Sequence, residues 1–143
     1  MVRILIAIVA VIVGVIVGGA VNWGIGNLNV MFFPMPEGVT WQDTDAIIAW
    51  IKMLPQQAFI LVLLAHLSQS FVGGFVAALI AKQNMMCVAM VVGAISMLAG
   101  IANMLMIPAP AWLWIEMPLY LVTAYFGAKI VMNMRSHNTN VCC

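Results

Sequence analysis

The sequence predicts an all-α membrane protein: four transmembrane helices in two tandem hairpins, with a short amphipathic helix in the first outer loop. Three observations carry that expectation. The 143 residues are 66% hydrophobic and only 6% charged, with a mean hydropathy of +1.15; a soluble domain carries about a quarter of its residues charged. Four apolar stretches reach the ~20 residues that a spanning helix needs. Finally, one pattern is written twice. Gly24-Ile25-Gly26-Asn27 runs on to Pro34-Met35-Pro36, and Gly100-Ile101-Ala102-Asn103 runs on to Pro108-Ala109-Pro110. Each copy follows a long apolar run, which suggests one helix exit used in two related units.

The spans are expected at residues 3–23, 57–81, 85–107 and 111–132. Lipid offers no partner to free backbone polar groups, so spanning segments are helices or closed barrels. The stretches show no two-residue alternation, which leaves helices. The first stretch also has the look of a secretory signal, with Arg3, an apolar core and Gly18-Gly19-Ala20. It shares its exit pattern with an internal helix, however, and is expected to be retained. The chain then forms a single transmembrane domain over 1–143, with candidate repeats 1–82 and 83–135 and a short polar tail over 136–143. Both repeats would run in the same sense, related by an axis along the membrane normal.

Charge sets the orientation. Arg3, Lys82, Lys129 and Arg135 fall on one side of a four-span topology, and Glu37, Asp43, Asp45 and Lys52 on the other. Basic residues near helix ends stay cytoplasmic, so both termini are expected inside and the protein in a plasma membrane. Trp23, Trp41, Trp50, Trp112 and Trp114 all fall on the outer side. They serve there as a one-sided interfacial anchor or as a surface for a partner.

The first outer segment holds the predicted amphipathic helix. Thr40 and Asp43 form a capping-box-like pair, Asp45 adds charge that suits a helix start, and Pro55 closes the segment. Trp41, Ile47, Ile48, Trp50, Ile51 and Leu54 supply its apolar side. The inner connection, Lys82-Gln83-Asn84, leaves room only for a tight helical hairpin.

Small residues mark the expected helix contacts: Gly14 and Gly18 in the first span, Gly73 and Gly74 in the second, Gly93, Ser96 and Gly100 in the third. Such residues let membrane helices approach until their backbones touch. Packing within this bundle is their expected use, and a dimer face the alternative.

Polar residues inside spans are costly and mark function first. His66 and Gln69, with Ser68 and Ser70, make the most polar patch in any span. His66 reads as a structural residue bonded to a neighbouring helix or as a relay or ligand site. Glu116 is the one acid within a span and lies between Trp114 and Pro118. It suits a helix N-terminus, or serves as an inward carboxylate on a helix bent by Pro118. Asn27 and Asn103, equivalent in the two pattern copies, cap helix ends or line a shared outer pocket.

No catalytic group, cofactor or metal site is expected. The 13 methionines are packing material. Cys87, Cys142 and Cys143 show no CxxC or zinc spacing and lie on the reducing side. A net charge of +1 and the absence of a basic patch exclude a nucleic-acid partner. The expected partners are the lipid bilayer and a membrane protein, either another or a second copy of this chain.

Several segments bear a family likeness. Pro34-Met35-Pro36-Glu37-Gly38-Val39, Leu64-Ala65-His66, Gly73-Gly74-Phe75-Val76-Ala77-Ala78 and Gly100-Ile101-Ala102-Asn103 through Trp112 resemble a family of small bacterial four-helix integral membrane proteins without assigned biochemistry. The resemblance covers most of residues 24–130. It implies a bacterial inner membrane and brings no functional residues.

Two functions follow, the first expected and the second its alternative. The first is a non-catalytic structural or accessory subunit packed against a larger membrane complex. The second is a small transporter or channel-like homo-oligomer for an ion or small solute, built on His66, Glu116 and the asparagines. The direction of His66 and Glu116 separates them: a cavity beside both favours transport, and bonds to neighbouring helices without a cavity favour the accessory role.

Overall fold

The computed structural model describes residues 2–40, 42–107 and 109–140. The elements are α1 (Val2–Phe32), α2 (Thr44–Met53), α3 (Gln56–Ala81), α4 (Met85–Met106), a 3-10 turn at Ala111–Ile115, and α5 (Glu116–Asn140). No strand occurs among the described residues. Four helical segments are long and apolar enough to cross a membrane: Val2–Phe32, Gln56–Ala81, Met85–Met106 and Ala111–His137.

α1 is longer than the sequence suggests. It does not end near Trp23 but runs through Gly24-Ile25-Gly26-Asn27 to Phe32. At 1.5 Å per residue its 31 residues reach about 46 Å, beyond the ~30 Å of a hydrocarbon core. The repeated pattern is therefore helical rather than an exit. Asn27 donates to the Trp23 carbonyl one turn back (2.7 Å), and no residue before Pro34 lacks an N–H. The helix stops just short of Pro34, because a proline ring excludes the helical conformation from the residue before it. α4 likewise carries its copy of the pattern inside the helix and ends at Met106. Pro108, like Trp41, Cys142 and Cys143, lies outside the described residues.

α3 is the axis of the bundle and touches α1, α4 and α5. Against antiparallel α1 the backbones meet. A Cβ placed on Gly14 would lie 2.6 Å from the Gly73 carbonyl oxygen, and one on Gly73 would lie 2.8 Å from that of Gly14. Gly18 sits on the Gln69 backbone, and Asn29 Nδ2 donates to the Ala58 carbonyl (3.2 Å).

α5 runs parallel to α3 on another flank, in one unbroken register. His66 faces Glu116, Ser70 Oγ donates to the Tyr120 carbonyl (2.6 Å), Gly74 packs on the Ala124 backbone, and Ala78 and Ala128 are buried together. Gly93 packs on Ala124 and Gly100 under the Tyr120 ring, so every glycine expected at a helix contact touches a neighbour within this chain. Gly127, against Phe71 and Phe75, adds one that was not anticipated.

The two ends differ. At one, Lys82-Gln83-Asn84 turns α3 into α4, with Lys82 (φ 54°) and Asn84 (φ 52°) both at positive φ. Arg3 and Arg135 gather at this hairpin end, where Arg135 donates to the Leu79 carbonyl (2.6 Å) and supplies a cation to the α3 C-terminus. At the other end lies α2. Its cap is Asp43, not Thr40: the Asp43 carboxylate accepts from the Ala46 N–H (3.1 Å), with Asp45 in the first turn and Lys52 in the last. Asp is short enough to reach back from the N-cap position, where it satisfies an otherwise orphan donor. Ile51 is buried with Phe59 and Leu113, and Ile47, Trp50 and Leu54 pack around them. α2 thus closes over the ends of α3, α4 and the 3-10 turn. Replacing Asp43 by alanine is expected to cost α2 about 1 kcal/mol, seen as faster amide hydrogen exchange at residues 44–53 and unchanged exchange in α3.

Trp112 and Trp114 sit at the α2 end, 40% and 45% exposed. Trp23 is 74% exposed and lies about two and a half turns short of the α1 terminus.

Candidate functional site

The site begins with one buried acid. The 3-10 turn Ala111–Ile115 delivers Glu116 as the first residue of α5, where the helix dipole favours a negative charge. Its side chain is 0% exposed. Pro118 stands in the first turn of α5 and starts the helix rather than bending it: the Trp114 carbonyl nearby already takes the Glu116 N–H.

A buried carboxylate needs a partner, and α3 supplies it. His66 Nδ1 lies 3.2 Å and 3.1 Å from the two Glu116 oxygens. With the acid ionised, the Nδ1–H donates to it, and Nε2 becomes the working end of the ring. Tyr120, one turn below Glu116 and 1% exposed, stacks on the imidazole with centroids 6.1 Å apart and planes at 29°. Its own carbonyl is held by Ser70. The ring is thus fixed from two sides.

Two cavities meet at this ring. α1 and α4 touch near the hairpin end, through Ala10, Val88 and Val92, and part toward the α2 end. The gap is a polar cleft of about 240 Å³ lined by Asn22, His66, Gln69, Ser96, Asn103 and Tyr120. A second cavity of about 210 Å³ lies beneath α2, with apolar walls that include Trp50, Ile51, Phe59, Met104 and Leu113. His66 and Asn103 line both. Toward the hairpin end, Ala10, Ala77, Ala81, Val88 and Val92 close the bundle without a polar side chain.

The unmet hydrogen bonds point the same way. Among the described residues, two buried side-chain polar atoms have no partner: Ser96 Oγ and Asn29 Oδ1. Ser96 is 2% exposed and lines the polar cleft; Asn29 lines the cavity beneath α2. Buried polar atoms are almost always satisfied, so each cavity holds an atom that calls for a guest.

The structure thus brings together His66, Gln69, Asn103 and Glu116, and leaves Asn27 out. Asn27 is exposed, bonded only within its own helix, and does not meet Asn103. Asn22, Asn29 and Tyr120 belong to the site without having been singled out, and Ser96 had been read only as a small packing residue. A legible signal did exist. α3 carries His66, Ser70, Gly74 and Ala78 at four-residue spacing, and α5 carries Glu116, Tyr120, Ala124 and Ala128. Aligning those stripes places the acid beside the histidine. Among the described residues no group of three or more His, Cys, Asp or Glu side chains could hold a metal ion. Cys87 is a free thiol, exposed and well away from the site. Compared with known proteins, the chain matches no family model, no curated protein and no solved structure.

Proposed function

We propose that this chain is a non-catalytic integral membrane protein of transporter type, which admits a small ligand to a chamber governed by the His66–Glu116 pair. The carrying observation is that pair, buried against a two-part cavity with unmet hydrogen bonds on both sides. A purely structural histidine would be sealed by its neighbours; this one keeps one nitrogen for the cleft. The reading places the bundle in a bacterial inner membrane, with both termini and the hairpin end cytoplasmic, because the arginines gather there. α2 is then the amphipathic helix at the outer surface and roofs the chamber. The units 1–82 and 83–135 form tandem hairpins, α1 with α3 and α4 with α5, whose equivalent helices have diverged to make one asymmetric site. The chamber is closed at its inner end, and release inward requires α1 and α4 to part where Ala10 meets Val88.

Vesicles containing the purified protein test the reading. Efflux is followed for a panel running from inorganic ions through neutral polar solutes to short-chain amphiphiles. The wild type is expected to accelerate one class, and Glu116→Gln to abolish the effect. Efflux no faster than from empty vesicles across the whole panel would refute transport. That result would leave the second reading, an accessory subunit, which is favoured by Gly19 and Gly24. Both lie on α1 with nothing within 4 Å, small surfaces open to another helix. Recovery of a stoichiometric larger complex in a gentle-detergent pull-down would establish that role.

A further inference from the structure

We infer that the two cavities form one binding site for a neutral, hydroxyl-bearing amphiphile, its head in the polar cleft at His66 and Ser96 and its apolar part beneath α2. The inference rests on the ligand-chamber reading above and names the class of its ligand. Shape comes first. The polar cleft and the apolar cavity share His66 and Asn103 as common wall, so a single molecule with one wet and one oily end reaches both. The 210 Å³ cavity is walled by Trp50, Phe59, Met104 and Leu113; a purely polar solute would gain nothing there and leave it unfilled.

Charge comes second. No Lys or Arg lines either cavity. Glu116 lines neither cavity, and both of its oxygens are taken by the His66 Nδ1–H. A carboxylate or phosphate head would find no free cation, and an ammonium head no free anion, at a depth where an unpaired charge is expensive. The head is therefore neutral.

Hydrogen bonding comes third. Ser96 Oγ can both donate and accept, Nε2 of a neutral His66 accepts, and Asn29 Oδ1 only accepts. Of these, Nε2 and Ser96 line the polar cleft where the head sits, and an O–H donates to Nε2 while accepting from Ser96. A ketone or ester head would leave Nε2 unmet. Phenols and alcohols with an alkyl tail fit this set; Tyr120 and His66 add aromatic faces for a phenol ring.

Octylphenol carrying a photoreactive diazirine on its tail is the probe, used on the full chain in lipid nanodiscs. Saturable labelling is expected in peptides containing Trp50 and Phe59. Unlabelled octylphenol should compete, and octanoate or phenol should compete about tenfold more weakly or worse. Ser96→Ala gives a signature that a packing role would not. Its hydroxyl has no partner to lose, so the thermal midpoint of the empty protein should stay or rise. Affinity for octylphenol should nevertheless fall about tenfold, the value of one hydrogen bond near 1.4 kcal/mol. Unsaturable labelling spread over exposed side chains such as Ile4 and Leu98, or equal competition by octanoate, would overturn the inference. If octylphenol fails while glycerol binds in a His66-dependent manner, the ligand class is wrong and the chamber reading stands. If neither binds, both fail.

Discussion

Replacing His66 by leucine is expected to destabilise the fold by about 3 kcal/mol, and replacing Glu116 as well should recover most of that loss. The reasoning turns on what each change leaves behind. His66→Leu strands the Glu116 carboxylate at 0% exposure without its imidazole partner. Breaking a buried pair from one side costs ~3–5 kcal/mol, because the remaining charge is uncompensated. Glu116→Leu is milder, since His66 is partly exposed and can present a neutral ring to the cleft. In the double variant two apolar side chains meet across α3 and α5, and such exchanges are often neutral or better. A double-mutant cycle, read by reversible unfolding in mixed micelles, should therefore give a coupling energy of about 2 kcal/mol. Additive single changes would mean that the pair does not hold α5 to α3. Under the proposed transport function, the double variant should fold and yet transport nothing.

The second large effect lies where α1 crosses α3. Gly73→Leu should separate the two helices, because even a Cβ at this position falls 2.8 Å from the Gly14 carbonyl oxygen and 3.0 Å from the Val92 side chain. A carbonyl cannot swing away as a side-chain end can, so the whole helix must move. Overpacking of this kind costs ~1–3 kcal/mol. Gly19→Ala, one residue from the Gly18 contact, is the control. It has nothing within 4 Å, and alanine is the better helix former by up to ~1 kcal/mol. The expected order of thermal midpoints is Gly19→Ala at or above wild type, Gly14→Ala below it, and Gly73→Leu lowest. If Gly73→Leu melts with the wild type, α1 does not pack as described.

What could be read from the sequence follows the range of the physics involved. Four spans were legible because length and hydropathy are local sums, and α4 and the Lys82-Gln83-Asn84 hairpin fell where expected. The end of α1 was not, because glycines at 24 and 26 looked like a stop, while the property that ends the helix is the proline ring at 34. Asp43 as the α2 cap depends on a reach of three residues, near enough to be seen in kind but not in place. The site was legible in its parts and not in its assembly. His66 and Glu116 stood out by the cost of burying them, but they are fifty residues apart and only the parallel register of α3 and α5 joins them. Ser96 and Asn29 carried no signal at all: an unmet hydrogen bond is a property of the surroundings and not of the residue.

The parallel run of α3 beside α5 also sets a timetable for assembly. As the chain is made, α1, α3 and α4 are all complete before α5 begins. In the membrane reading proposed above, His66 and Ser70 pass that interval without the acid and the carbonyl that later hold them. The last helix therefore acts as the latch of biogenesis. A chain cut short after α4 leaves that polar stripe unpaired, and completion of α5 covers it.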